Sequence, residues 1–215
     1  QSKNYSKIAD IQNKSLQLTL LLSVPASLGL IIASKEIVNG LFGYGSFTSK
    51  DVEMTSDALM FFGYGVIAFA LVKIFANFFF ARDNTRTPFY ISSFIVFLNV
   101  IISVSFFDKI GFLIIPIATS VSTWIGVSLF LYILVKNNHL FLQKKLFDNT
   151  LKILISSLIM ASVLFYVLNK YSSYLEYTYS LKSVYLLIIV GFVGTVYLLS
   201  CYLFGLLKIK NYKTN

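Results

Sequence analysis

Six long apolar stretches separated by short polar segments set the pattern of this chain. They occupy residues 16–33, 58–81, 89–107, 110–135, 151–168 and 184–207. Each is long enough for an α-helix, rising 1.5 Å per residue, to cross a hydrocarbon layer about 30 Å thick. The pattern predicts an all-α, polytopic membrane protein with six transmembrane helices. It divides the chain into a segment 1–15, four helices within 16–135, a basic loop 136–150, a helix pair within 151–207 and a tail 208–215.

The polar punctuation adds detail. Thr48 followed three residues later by Asp51 has the spacing of an N-cap, so the second helix is expected to begin at Ser49 and to project about two turns beyond its apolar run. Before it, residues 36–47 (EIVNGLFGYGSF) hold three glycines and a tyrosine and read as the end of the first helix. Pro25, near the middle of the first span, removes one backbone hydrogen bond and predicts a bend, either a moving element or a static one. Pro88 is placed at the start of the third helix, where a missing N–H is tolerated.

Charge then orients the helices. Twelve lysines and arginines fall in the N-terminal tail, the second and fourth connections and the C-terminal tail, among them Lys14, Arg82, Arg86, Lys144 and Lys145. Only five, Lys35, Lys50, Lys109, Lys170 and Lys182, fall opposite them, beside most of the acids. The positive-inside rule puts both termini of the chain on the cytoplasmic side. The formal net charge of +9 follows from this asymmetry without a polyanionic partner, and no nucleic-acid motif accompanies it. With 57% hydrophobic and 13% charged residues, the composition agrees with a membrane protein. The chain starts at Gln1 without a signal peptide before the first span, and is expected to be part of something longer.

The first place to look for function is Lys73, inside the second apolar run. An ionisable side chain at that depth costs about 2.5–3.5 kcal/mol on insertion scales and usually faces a protein interior or a wet cavity. Eight residues, about 12 Å of rise, separate it from the end of the run, more than its side chain spans unaided. Two readings stand: an inward-facing lysine exposed to a passage, or a structural lysine bonded to helix carbonyls or partly snorkelled. Asn77 shares its helix face. In the third helix Ser92, Asn99 and Ser103 form a polar stripe that either joins helices or lines a cavity. Ala118, Ser122 and Gly126 repeat every four residues as a seam for close helix contact, and Trp124 is expected to pack within the bundle.

The remaining features carry less chemistry. His139, the lone histidine, sits in a basic loop and reads as solvated. Cys201, the single cysteine, lies in an apolar run and reads as a packed thiol. Tyr171, Tyr174, Tyr177 and Tyr179 form an aromatic belt on the outer side. No phosphate loop, metal spacing or nucleophile arrangement occurs in the sequence, so neither an enzyme, a metal nor a cofactor is expected. The last two helices are nearly purely apolar, and any substrate contact they make is greasy.

The stretches LFGYGSFTSKD and FALVKIFANFFFARDNTRTP, followed by a span containing Asn99, resemble the C-terminal part of the MurJ (MviN) family of lipid II flippases. The family pattern runs L-V-K, then F-Y-A-R, one variable residue, and D-T-R-T-P. Lys73, Ala81, Arg82, Thr85, Arg86, Thr87 and Pro88 agree with it; Phe80 replaces the tyrosine and Asn84 the acid. The resemblance implies the second lobe and final helix pair of a fourteen-helix MATE-like exporter fold, in the bacterial cytoplasmic (inner) membrane. It implies a lipid II flippase working by alternating access on an undecaprenyl-diphosphate-linked sugar lipid. Lys73, Asn77 and Asn99 would lie on its cavity face, and Arg82, Thr85, Arg86, Thr87 and Pro88 in the family's motif loop. It further implies membrane lipids and a missing N-terminal lobe as partners, and a groove for the polyprenyl tail on the last two helices. An exporter of O-antigen-type lipids or drugs with the same fold, and a non-transporting membrane scaffold, are the competing readings.

Overall fold

The computed structural model describes residues 2–207, with side chains from Lys7 onward. The cytoplasmic tail expected at 208–215, with Lys208, Lys210 and Lys213, lies outside the described residues, as does the side chain of Lys3. Seven α-helices follow in order: α1 (Ser2–Ile32), α2 (Ser34–Phe42), α3 (Ser49–Phe80), α4 (Arg86–Ile110), α5 (Ile114–Lys136), α6 (Lys144–Lys170) and α7 (Lys182–Leu203). Six of them carry the six apolar runs. By length and hydropathy five helical stretches can cross a membrane, one of them the joined segment Arg86–Lys136. Gly111, at φ 71°, turns that segment back on itself through a 3-10 turn at Gly111–Leu113, so α4 and α5 pack side by side as two spans.

Two boundaries differ from the expectation. Residues 36–47 do not simply end the first helix, because most of them belong to α2. Ala33 leaves helical geometry (φ −108°, ψ 19°), yet its carbonyl accepts the N–H of Ile37 at 2.8 Å and a new helix starts. That helix buries Val38, Asn39 and Gly40 between α3 and α7, a tertiary gain that no local pattern announces. Pro88 is the third residue of α4 rather than the first. It still lies in the opening turn, whose N–H groups have no intrahelical partner. The start of α3 is as expected. Thr48 and Asp51 form a reciprocal capping box, Thr48 N–H donating to Asp51 Oδ2 at 2.8 Å and Asp51 N–H to Thr48 Oγ1 at 3.3 Å.

Neighbouring helices run in the order α4, α5, α3, α1, α6, α7, with α1 as the shared spine. One core joins Phe75, Phe78 and Phe79 of α3 to Phe130 and Leu134 of α5, with Leu16 and Ile91 at its edges. The other joins Met160, Leu164 and Leu168 of α6 to Leu186, Ile189 and Val193 of α7, closed by Ala33. In lipid there is no hydrophobic drive between helices, so close approach and interhelical hydrogen bonds hold the bundle. Gly63 lets α3 meet α1 closely: a Cβ there would stand 3.3 Å from the Ile31 nitrogen. Ser27 Oγ donates to the Gly63 carbonyl at 2.7 Å. From α5, Ser120 Oγ donates to Phe61 O at 2.8 Å and Trp124 Nε1 to Tyr64 O at 2.9 Å. The small-residue seam is present too, with Ala118 and Ser122 fully buried and Gly126 pressed against Ile95 of α4.

Candidate functional site

The buried side of α3 carries Phe75, Phe78 and Phe79, and the opposite side carries Lys73, Asn77 and Phe80, all exposed. Helical spacing alone separates the two faces, because aromatic residues of the first set pack on Phe130 and Leu134 while the second set looks away from the chain. Lys73 has no hydrogen-bond or ion-pair partner among the described residues. The structure thus brings Lys73 and Asn77 together on a surface that this chain leaves uncovered.

Asn99 is half-buried and engaged with α5. Its Nδ2 donates to Thr119 Oγ1 of α5 at 2.8 Å, and Ser103 Oγ lies 3.5 Å from its Oδ1. The polar stripe of α4 is therefore split. Asn99 joins α4 to α5, with Ser103 bonded to it within α4, whereas Ser92 lies in a shallow exposed groove with Phe89, Val96 and Phe97.

The motif loop between α3 and α4 is a staple that leaves Asp83 and Arg86 exposed and unpaired among the described residues. Asp83 takes φ 55°, the left-handed conformation that closes α3, and Asn84 N–H returns to Phe79 O at 3.1 Å. Arg82 donates from Nη1 to Phe78 O at 2.6 Å and from Nη2 to His139 O at 2.9 Å, tying α3 to the loop 137–143. Asn84 caps α4. Its Oδ1 accepts Thr87 N–H at 3.1 Å and its Nδ2 donates to Thr87 Oγ1 at 3.0 Å. A neutral amide thus does the capping where the family pattern has an acid. Arg86 and Thr85 are exposed, and Pro88 is buried.

The same loop corrects the reading of His139, which is half-buried rather than solvated. Its ring meets Phe79 edge-on at 6.4 Å, and its Nδ1 is buried without a partner. Burial, with the Arg82 charge second, holds the imidazole below its ordinary value of 6.5. Gln12 and Asn13 of α1 complete the knot: Gln12 Nε2 donates to His139 O at 2.8 Å, Asn13 Nδ2 to Phe141 O at 2.6 Å, and Gln143 N–H to Asn13 Oδ1 at 3.0 Å. Two adjacent amides immediately before an apolar run were the only local sign of this.

A buried cation went unrecognised in the sequence. Lys182, at the start of α7, is 1% exposed. Its Nζ donates to Gly43 O at 2.5 Å and Tyr177 O at 2.6 Å, and stands 4.3 Å and 4.6 Å from the ring centres of Tyr44 and Tyr177. Two carbonyl dipoles and two aromatic faces replace its water. Tyr177 therefore belongs to this cage, whereas Tyr174 stacks on Tyr185 at 4.8 Å and meets Tyr179 edge-on. The tyrosines flanking a lysine were the available signal.

Greasy surface lies where the last two helices meet their surroundings. A groove of about 550 Å³ runs between Val163, Val167, Ile188 and Phe192. Another, of about 420 Å³, lies between α1 and the α6–α7 pair, lined by Pro25, Gly29, Met160, Leu164 and Val193. Cys201 is a buried free thiol, as expected.

The family profile described as "Lipid II flippase MurJ" matches residues 1–189. A probable lipid II flippase MurJ of Rickettsia prowazekii is 33% identical over 206 residues, which cover 94% of this chain and 39% of that protein. The lipid II flippase MurJ of Thermosipho africanus is 32% identical over 153 residues, 71% of this chain and 30% of that protein. A solved structure described as lipid II flippase MurJ in an inward closed conformation superposes with a TM-score of 0.75 at 27% identity, covering 94% of this chain and 40% of its own. The chain thus spans well under half the length of these relatives.

Proposed function

The chain belongs to the MurJ family of lipid II flippases, and from that premise we propose that it supplies the second lobe and final helix pair of a transporter moving a lipid-linked peptidoglycan precursor by alternating access. The long apolar helices and the family make it a multi-pass inner-membrane protein. Its two ends face the cytoplasm, as the lysine and arginine asymmetry requires.

One observation carries the mechanism: Lys73 stands unpaired on the face of α3 that this chain leaves open. A diphosphate-linked sugar crossing the membrane must keep its negative charge solvated or paired throughout. An amine at membrane depth, on a wet face shared with another lobe, provides one such partner, and Asn77 one turn on offers a neutral hydrogen bond. The greasy grooves of α6 and α7 accept the polyprenyl tail while the head group passes between lobes. Asn99, bonded to Thr119, sets α4 against α5. The motif loop at 82–88 holds the α3–α4 corner on which the lobes rock, with Arg86 as its free cation.

In the full-length protein, Lys73→Ala is expected to lower flipping while the variant still inserts and accumulates in the membrane. The measurement is lipid II accessibility at the outer face, together with complementation of cells depleted of their own flippase. Wild-type transport by the variant removes the lysine from the mechanism. A cysteine at 73 or 77 is expected to react with a polar thiol reagent, and its silence would mean a packed, dry face. Failure of the wild-type protein to complement, with export of another lipid-linked sugar, would favour the O-antigen-type reading.

A further inference from the structure

The end of α3 opposite the motif loop borders a cavity that the transport reading does not use. It measures about 470 Å³ and lies between α2, the first turns of α3 and the segment 172–177. Asn39, Val52 and Leu175 form its buried floor, and Lys35, Lys50, Glu36, Glu53 and Glu176 stand around it. That volume is in the range of small-molecule sites, about 300–1,000 Å³.

Two features set it apart from an ordinary polar surface. Five charges of both signs converge there without pairing: none of them forms an ion pair among the described residues, where Lys14 with Asp10 does. The walls are held in advance. Asn39 Nδ2 donates to Leu175 O at 2.7 Å, Tyr177 OH to Phe47 O at 2.7 Å, and Lys182 fixes Tyr177 from behind.

The charge pattern narrows the ligand. Three carboxylates oppose a simple anion, and two ammonium groups oppose a simple cation. The described residues also contain no group of three His, Cys, Asp or Glu side chains that could hold a metal ion. We propose that this cavity binds a small ligand carrying both an ammonium and a carboxylate, the chemistry of a free amino acid or a short peptide. The ammonium seats on Glu36 and Glu53, and the carboxylate on Lys35 and Lys50. Such a group can arrive as a free peptide or as the peptide part of a lipid-linked precursor; the recognition chemistry is the same.

The test is calorimetric titration of the purified full-length protein with the tripeptide Ala-Ala-Ala, whose only charges are its terminal ammonium and carboxylate, its N-acetylated form and its C-amidated form. Saturable binding of the free tripeptide is expected, weakened about tenfold by either cap and about tenfold by Glu53→Gln or Lys50→Gln, as loss of one charge-assisted contact predicts. Both positions are exposed, so the melting temperature of the variants should match the wild type. Competition by purified lipid II assigns the source: displacement of the tripeptide indicates the lipid-linked form, and its absence the free one. No saturable binding of the tripeptide, or an affinity indifferent to both caps and both variants, overturns the proposal. Binding is read without transport, so this inference and the flippase reading fail separately.

Discussion

Replacing Lys182 by methionine is expected to loosen the junction between α2 and α7 while leaving the rest of the bundle folded. The ammonium group donates to two backbone carbonyls, Gly43 O and Tyr177 O, and lies over two tyrosine rings with 1% of its surface exposed. Methionine fills a similar volume and keeps the contact with the rings, but leaves the carbonyls without that donor. Each buried polar group so abandoned costs about 1–3 kcal/mol. Removing the ammonium also removes its own desolvation penalty, which offsets part of the loss. A net cost of about 2 kcal/mol follows, equivalent to roughly a 30-fold rise in local opening. Hydrogen exchange read by mass spectrometry on peptides covering 40–47 and 176–184 measures it directly, with peptides from the α3–α5 core as the internal reference. Exchange within about threefold of wild type in both segments would show that the cage contributes no net stability and that the ammonium only breaks even there. A matching rise in the α3–α5 peptides would show instead that Lys182 supports the whole fold.

Acid should loosen the loop knot through His139. Its folded value lies below 6.5, so the stability it contributes is present above pH 6.5 and is lost as pH falls through the depressed folded value. Protection in 137–143, taken relative to the intrinsic exchange rate at each pH, should therefore fall on acidification, and His139→Gln should flatten that dependence; an unchanged profile in the variant would refute the role. Asn84→Asp should leave the stability of α4's first turn unchanged because either side chain accepts Thr87 N–H, whereas Asn84→Ala should cost about 1 kcal/mol, read as a lower melting temperature. Gly63→Val should push α1 and α3 apart, since Leu30 and Ile31 leave no room for a branched side chain, and cost about 1–3 kcal/mol in thermal unfolding. An equally stable valine variant would mean the two helices do not meet as closely as described.

Much of this architecture was legible along the chain. The number and approximate extent of the six long helices follow from apolar runs, because a backbone in lipid must satisfy its own hydrogen bonds and helices of bilayer length do so. The capping box at Thr48 and Asp51 and the seam at Ala118, Ser122 and Gly126 were legible too, since each depends on residues three or four positions apart. The motif loop was recognisable as a motif, although not as a clamp on His139.

What the residues could not disclose is which polar groups meet across long separations. Lys73 lies inside an apolar run and Lys182 just before one, yet the one deep in its run stands uncovered while the one at a helix end is sealed. The difference arises because α2 folds back across the start of α7 and brings Gly43 to a lysine 139 positions away. Gln12 and Asn13 find the loop at 139–143 in the same way, over separations of 127 to 130 residues. Periodicity and caps are local and are written in neighbouring residues. Burial of a charge is decided by which helices pack together, and that choice exists only in three dimensions.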